Sequence, residues 1–331
     1  MVIEGRSEVN LTIFRLTLLM IYRRRLLLRK TEVVMKSKKI KLTQRDIKLI
    51  DQSIAIKDCP ATIEQAGFMF TLFCQLGFPR SHCDQLYFFR ECGKARLVLD
   101  AEAVHIEGNL IQASLPYGVL PRLILLEIFS CAVRYKTKKI DLGSSAASFI
   151  RRLGLRPAGG KRGNYANLKN QLGSLLALHV ECDFNVKGKR ISFCGKLFSD
   201  CSLVNEKDKS WHSVINLSDD FYDVLVTQRN AVPVDTRAIS ALKGSALALD
   251  IYSMLVERLH RASAKPVTLY WKNLREQFAS EYIDNENGKR SFKENFLIAL
   301  KKVKMVYPVA DIQAVSGGVC IRKSPPPIPK K

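Results

Sequence analysis

The spacing of apolar residues changes period several times between residues 121 and 197. Residues 121–135, PRLILLEIFSCAVRY, place a proline in the first turn and keep an apolar face, which predicts a helix. Residues 138–142, KKIDL, alternate and predict a short strand. Ser144 or Ser145 then caps a helix that runs through Leu153 and is stopped by Gly154. A basic, glycine-rich turn, RPAGGKRG, covers 156–163. From Asn164 onward Leu168, Leu172, Leu175 and Leu176 share one helical face. Strands around 179–186 and 190–197 follow, joined by a hairpin tip at Lys187-Gly188-Lys189. Helix, strand, helix, turn, helix, hairpin is the order of a winged helix, a helix-turn-helix followed by a two-stranded wing.

That order returns 126–129 residues later. PRLILLEIFSCAVRY pairs with LALDIYSMLVERLHR (247–261), and KKIDL with VTLYW (267–271). GKRGNYANLKNQLGSLLAL, from Gly160, aligns without a gap on GKRSFKENFLIALKKVKMV, from Gly288. Leu168 falls on Phe296, Leu172 on Leu300 and Leu175 on Val303, so the buried faces share one phase. The second hairpin covers 310–321 and turns at Gly317-Gly318. The expected fold class is α+β: two tandem winged-helix domains behind a basic N-terminal extension. The expected boundaries are 1–60 for the extension, 61–230 and 231–323 for the two domains, and 324–331 for a proline-rich tail, SPPPIPKK, expected to be extended or disordered.

Charge changes this picture from a fold to a function class. The chain carries 53 Lys+Arg against 31 Asp+Glu, a formal net charge of +22. Residues 1–50 hold a net +9, 134–162 a net +8 and 288–331 a net +8, on a body that is otherwise slightly acidic. Segregated basic islands are electrostatic footprints for a polyanion, with nucleic acid first and an anionic membrane surface second. The apolar run at 11–22, LTIFRLTLLMIY, is interrupted by Arg15 and followed by Arg23-Arg24-Arg25. It is too short to span a bilayer, so no stable membrane insertion is expected. Met20 and Met35 offer later starts, and the segment reads equally as a dispensable extension. Nine cysteines without a CxxC pair read as reduced cytosolic thiols, mostly small core residues.

Several stretches together resemble the plasmid-encoded RepA replication initiators. They are LPYGVLPRLILLEIFSCAVRYKTKKIDLG (115–143), FIRRLGLRPAGGKRG (149–163), FYDVLVTQRNAVPVD (221–235), ALKGSALALDIYSMLVERLH (241–260), FKENFLIALKKVKMVYP (292–308) and GGVCIRKSPPPIP (317–329). The resemblance runs from about 66 to 329; Glu127, Ile128 and Phe129 stand in the region where the family carries a tryptophan. It implies an initiator that binds repeated sites in double-stranded plasmid origin DNA, helps open the duplex and recruits a host replication initiator or helicase. It also implies a role in plasmid copy control and a bacterial cytoplasmic, nucleoid- or plasmid-associated location.

The DNA-contacting residues follow from helical geometry. At about 100° per residue, Arg290, Glu294 and Lys301 point away from the apolar face Phe292, Phe296, Ala299, Leu300 and Val303, with Lys293 and Lys304 on the flank. Lys289, Arg290 and Lys293 sit in the N-terminal turns that enter a major groove. Arg290 suits a bidentate contact to guanine, and the lysines suit phosphates. Arg322 and Lys323 close the wing. In the first copy Lys138, Lys139, Arg151, Arg152, Lys161 and Arg162 are the expected DNA contacts. The less charged face there, Asn167, Asn170 and Ser174, is a candidate homodimer surface.

Enzymatic readings find little support. The five histidines include no H-x-H or H-x-x-x-H pair, GGKRG at 159–163 has the wrong spacing for a phosphate-binding loop, and Tyr165 or Tyr222 lacks a histidine cluster beside it. No catalytic residue, cofactor or metal is therefore expected. Two alternatives stay open: a winged-helix transcriptional repressor, and a replication nickase or primase with an unrecognised site.

Overall fold

The computed structural model describes residues 43–106, 109–161, 163–186, 188–202, 214–259, 261–262, 265–279 and 282–329. It divides into two units, 1–47 and 48–331. The basic N-terminal segment through residue 42, with its apolar run, lies outside the described residues. Helix α1 (Gln44–Asp58) opens on a reciprocal cap, in which Thr43 N donates to Asp46 Oδ2 at 3.0 Å and Asp46 N to Thr43 Oγ1 at 3.2 Å. Among the described residues no helix is long and apolar enough to cross a membrane.

The second copy follows the sequence pattern element for element. Helix α8 (Ala246–Leu259) is followed by β12 (Val267–Tyr270), α9 (Trp271–Phe278), α10 (Glu286–Val306) and the hairpin β13 (Ile312–Val315) and β14 (Gly318–Ile321). The strands form an antiparallel sheet in the order β12-β14-β13. Phe292, Phe296, Ala299, Leu300, Val303 and Val306 of α10 are all buried, at the 3–4 residue spacing of one helical face. Phe296 meets Trp271 and Phe278 edge-on or tilted, with ring centroids 5.7 and 5.8 Å apart.

The first copy departs from the pattern in its strands. Helices α3 (Val119–Tyr135), α4 (Ala146–Arg152) and α5 (Asn164–Leu176) and strand β6 (Lys139–Asp141) stand where the periodicity puts them. The hairpin of β7 (Leu178–Val186) and β8 (Lys189–Lys196) also forms. It does not pair with β6. It joins β2 (Tyr87–Cys92) and β3 (Ala95–Ala101) in a four-stranded sheet ordered β2-β3-β7-β8. The partner of β6 is β10 (Val214–Leu217), which also pairs with β9 (Phe198–Ser202), in the order β6-β10-β9. The physical reason is the alternation of β3, whose Ala95, Leu97, Leu99 and Ala101 are buried and give β7 an apolar-backed partner along its length. α5 also starts later than its counterpart α10, because Pro157, Gly159 and Gly160 keep the preceding residues in a turn.

Strand pairing crosses position 230/231: β1 (Ala66–Phe70) runs antiparallel to β11 (Ala231–Asp235). One hydrophobic cluster extends from Leu49 to Ile321. Between the copies lies a buried ion pair. Arg122 donates from Nε to Asp250 Oδ1 at 2.6 Å and from Nη2 to Asp250 Oδ2 at 2.8 Å. Its remaining donors reach the carbonyls of Phe78, Pro79 and Gly118, so all the guanidinium hydrogens are used. Gly77 has to be glycine here, because a Cβ would stand 2.8–2.9 Å from the Asp250 carboxylate. The tail is held as far as it is described: Tyr307 Oη donates to Pro325 O at 2.7 Å, and Ile328 is buried beside Ala61 and Ala66.

Burial shapes the titration of the core. It pushes the Cys182 thiol up to about 12 from 9.0, and raises Cys74 and Tyr252 well above their ordinary values. These groups stay neutral in the folded chain while their unfolded counterparts ionise from about pH 9 upward. The unfolded state then binds fewer protons, so folding stability is full below that pH and falls as pH rises toward about 12. The urea midpoint is expected to drop between about pH 8 and about pH 10. A midpoint unchanged over that interval would count against these buried acids.

Candidate nucleic-acid interface

Helix α10 begins at a well-made cap: Asn285 Oδ1 accepts from Gly288 N at 2.7 Å. Its N-terminal turns face α9 across an open cleft of about 860 Å3. Lys289, Arg290 and Lys293 line this cleft from α10, and Trp271, Lys272 and Arg275 from α9. The structure thus brings together the three residues that the helical geometry selects. It adds Lys272 and Arg275, which the sequence reading missed although their i,i+3 spacing puts both on one face of a short helix.

Four cations of the cleft already have a partner. Lys289 Nζ contacts Glu286 at 2.7 Å, a hydrogen bond that holds its ammonium above the usual lysine range. Arg290 Nε contacts Glu294 at 3.0 Å, Arg275 Nη2 contacts Asp284 at 3.0 Å, and Lys293 Nζ lies 5.4 Å from the centroid of the Trp271 ring. These pairs are exposed on at least one side and weak, so a phosphate can replace the carboxylate at small cost. Lys301 is exposed further along the same helix.

The other expected contacts divide. Lys304 donates to Ile312 O at 2.8 Å and fastens the start of β13 to α10. Arg322 is paired with Asp311 at 3.2 Å, and Lys323 is exposed beside the proline-rich tail. In the first copy Lys138 contacts Asp219 at 2.8 Å, and Arg152 is bonded to Glu127 and to Asp141 O. Lys139, Arg151 and Lys161 are exposed, while Arg162 lies outside the described residues. The α5 face is narrower than the pattern implies. Asn167 and Asn170 are exposed, but Ser174 is buried against Ser114 Oγ, and neighbouring Gln171 accepts from Tyr117 N at 2.8 Å. The segment preceding α3 covers that side of the helix.

Among the described residues no group of three His, Cys, Asp or Glu side chains is placed to hold a metal ion. Cys194 Sγ and His179 Nε2 come within 3.9 Å on the outer face of the four-stranded sheet, a pair too few for a site.

The fold and cleft define a mixed α+β protein of helices and small sheets whose second copy presents a basic helix end. Residues 115–273 match the family model of the plasmid-encoded RepA protein, and over that stretch the chain belongs to that family. The match takes in α3 through β12 and the start of α9. α10 and its hairpin lie beyond it, so their role is argued from their own geometry. No curated protein matches the chain.

Proposed function

We propose that the chain is a plasmid replication initiator made of two tandem winged-helix domains. It binds repeated sites in double-stranded origin DNA, helps open the origin and recruits host replication proteins, and it catalyses no chemistry of its own. The observation that carries this reading is the sheet order. β12-β14-β13 and β6-β10-β9 both set the first strand beside the last, with the middle strand at the far edge, and in each a helix precedes the first strand and two helices lie between it and the other two strands. On this reading β9–β10 is the wing of the first domain, and β7–β8 is an added hairpin belonging to the sheet with β2 and β3. α10 is the recognition helix of the second domain, with Arg290 aimed at a base edge and Lys272, Lys289, Lys293 and Lys301 at phosphates. The first domain supplies further phosphate contacts through Lys139, Arg151 and Lys161 and the surface for a homodimer.

Binding to a randomised duplex library tests it. Arg290→Ala is expected to relax sequence preference at a cost of about 1–3 kcal/mol on the best site. Lys301→Ala is expected to weaken all sequences alike and to flatten the salt dependence by about one phosphate. Wild-type protein that binds duplex DNA without sequence preference, or that leaves a covalent adduct on supercoiled origin DNA, would contradict the proposal.

A further inference from the structure

The solvent-facing row of α10 holds two opposite charges one turn apart. Arg290 Nε donates to Glu294 Oε1 at 3.0 Å, and the two side chains are 81% and 60% exposed. Stability does not account for the pair. An exposed i,i+4 pair adds little to a helix, and least with the cation on the N-terminal side. A cation near the N-terminal end also opposes the helix dipole.

The form of the bond says more than its strength. It engages Nε alone. Among the described residues neither Nη nitrogen of Arg290 has a hydrogen-bond partner, so the guanidinium is tethered at one side and its terminal nitrogens stay free to donate. Two parallel donors of that kind match O6 and N7 of guanine in a major groove. The neighbouring cations are differently placed, Lys289 on Glu286 and Lys293 over Trp271. The next outward residue one turn on, Ile298, is exposed and apolar.

We infer that Glu294 is a positioning residue that holds the Arg290 guanidinium in the orientation that reads guanine, and that it thereby sets base specificity. The inference rests on α10 entering the groove. A carboxylate close to DNA repels every sequence alike, because phosphates line any groove. Ordering a long side chain in advance lowers the cost of fixing it at its own site. Glu294 therefore acts with opposite signs on specific and non-specific DNA.

The test is selection from a randomised duplex library by the full chain as wild type, Arg290→Ala, Glu294→Ala, Glu294→Gln and the double Arg290→Ala/Glu294→Ala. Wild type is expected to prefer guanine at one position, and Arg290→Ala to lose that preference. Glu294→Ala should lose roughly tenfold of it at the same position, while binding scrambled duplex at least as tightly as wild type. Glu294→Gln should keep most of it, since its amide oxygen still accepts from Nε. The double variant should match Arg290→Ala. A change at a different base in Glu294→Ala would make Glu294 a direct reader, and a uniform gain on all sequences would make it a simple charge brake. Either result overturns the inference. If Arg290→Ala alters preference and Glu294→Ala does not, the positioning role fails while the groove reading stands. If neither alters it, or wild type shows no preference, both fall.

Discussion

Asp250→Ala is expected to destabilise the folded chain by about 3–5 kcal/mol. The carboxylate takes two of the Arg122 hydrogen bonds, at 2.6 and 2.8 Å, and both side chains are nearly out of solvent, 7% and 6% exposed. Without Asp250 the guanidinium is a buried charge with only carbonyl dipoles to answer it. Replacing both partners, Arg122→Met with Asp250→Leu, removes the charge problem and should recover much of the loss. Recovery should stop short of wild type, because Phe78, Pro79 and Gly118 then lose the donor their carbonyls share. Urea unfolding of the two single variants and the double measures this directly. A double variant as unstable as Asp250→Ala would show that the carbonyl contacts, and not the charge pair, dominate.

This pair was open to sequence reading and was missed. Arg122 is the lone charge in LPYGVLPRLILL (115–126), and Asp250 the lone charge in GSALALDIYSMLV (244–256). Opposite charges isolated in two apolar helices are the signature of a buried partner. The α10 face was legible because helical phase is local: one residue's burial fixes the next by rotation alone. The basic cleft was half legible, since Lys289, Arg290 and Lys293 sit on that helix, whereas Lys272 and Arg275 join them only through the packing of α9. Strand partners were not legible. KKIDL alternates equally well beside β8 or β10, and the choice depends on β2 and β3, which lie far away in sequence. The carboxylates on the cations were likewise invisible, apart from the i,i+3 and i,i+4 pairs that the spacing itself supplies.

The hairpin of the second copy hangs on one glycine, and Gly318→Ala is expected to undo it. β14 is the central strand of its sheet, with Gly318 paired to Tyr270 on one side and Val315 on the other. A Cβ at Gly318 would stand 2.0 Å from Leu269 O and 2.9 Å from Tyr270 Cα. Both are backbone atoms, so no side chain can swing aside, and relief requires β12 and β14 to part. The cost should reach the upper end of overpacking, about 3 kcal/mol, felt mainly as local opening of the hairpin. The same separation strains Trp271, whose N and Nε1 donate to Gly317 O and Ser316 O at 3.1 and 3.2 Å. Trp271 in turn packs on Phe296 and carries Lys293 over its ring, so damage at the hairpin reaches the basic cleft. Gly317→Ala is the control one residue away: its Cβ meets only the Tyr270 ring at 3.8 and 4.0 Å, and its effect should stay within about 0.5 kcal/mol. Hydrogen exchange of residues 267–271 and 312–321 in the two variants, read beside duplex binding at two salt concentrations, separates the outcomes. Fast exchange and weakened binding in Gly318→Ala alone would tie the hairpin to the interface. Fast exchange with unchanged binding would take the hairpin out of it and leave DNA contact to the cleft between α9 and α10.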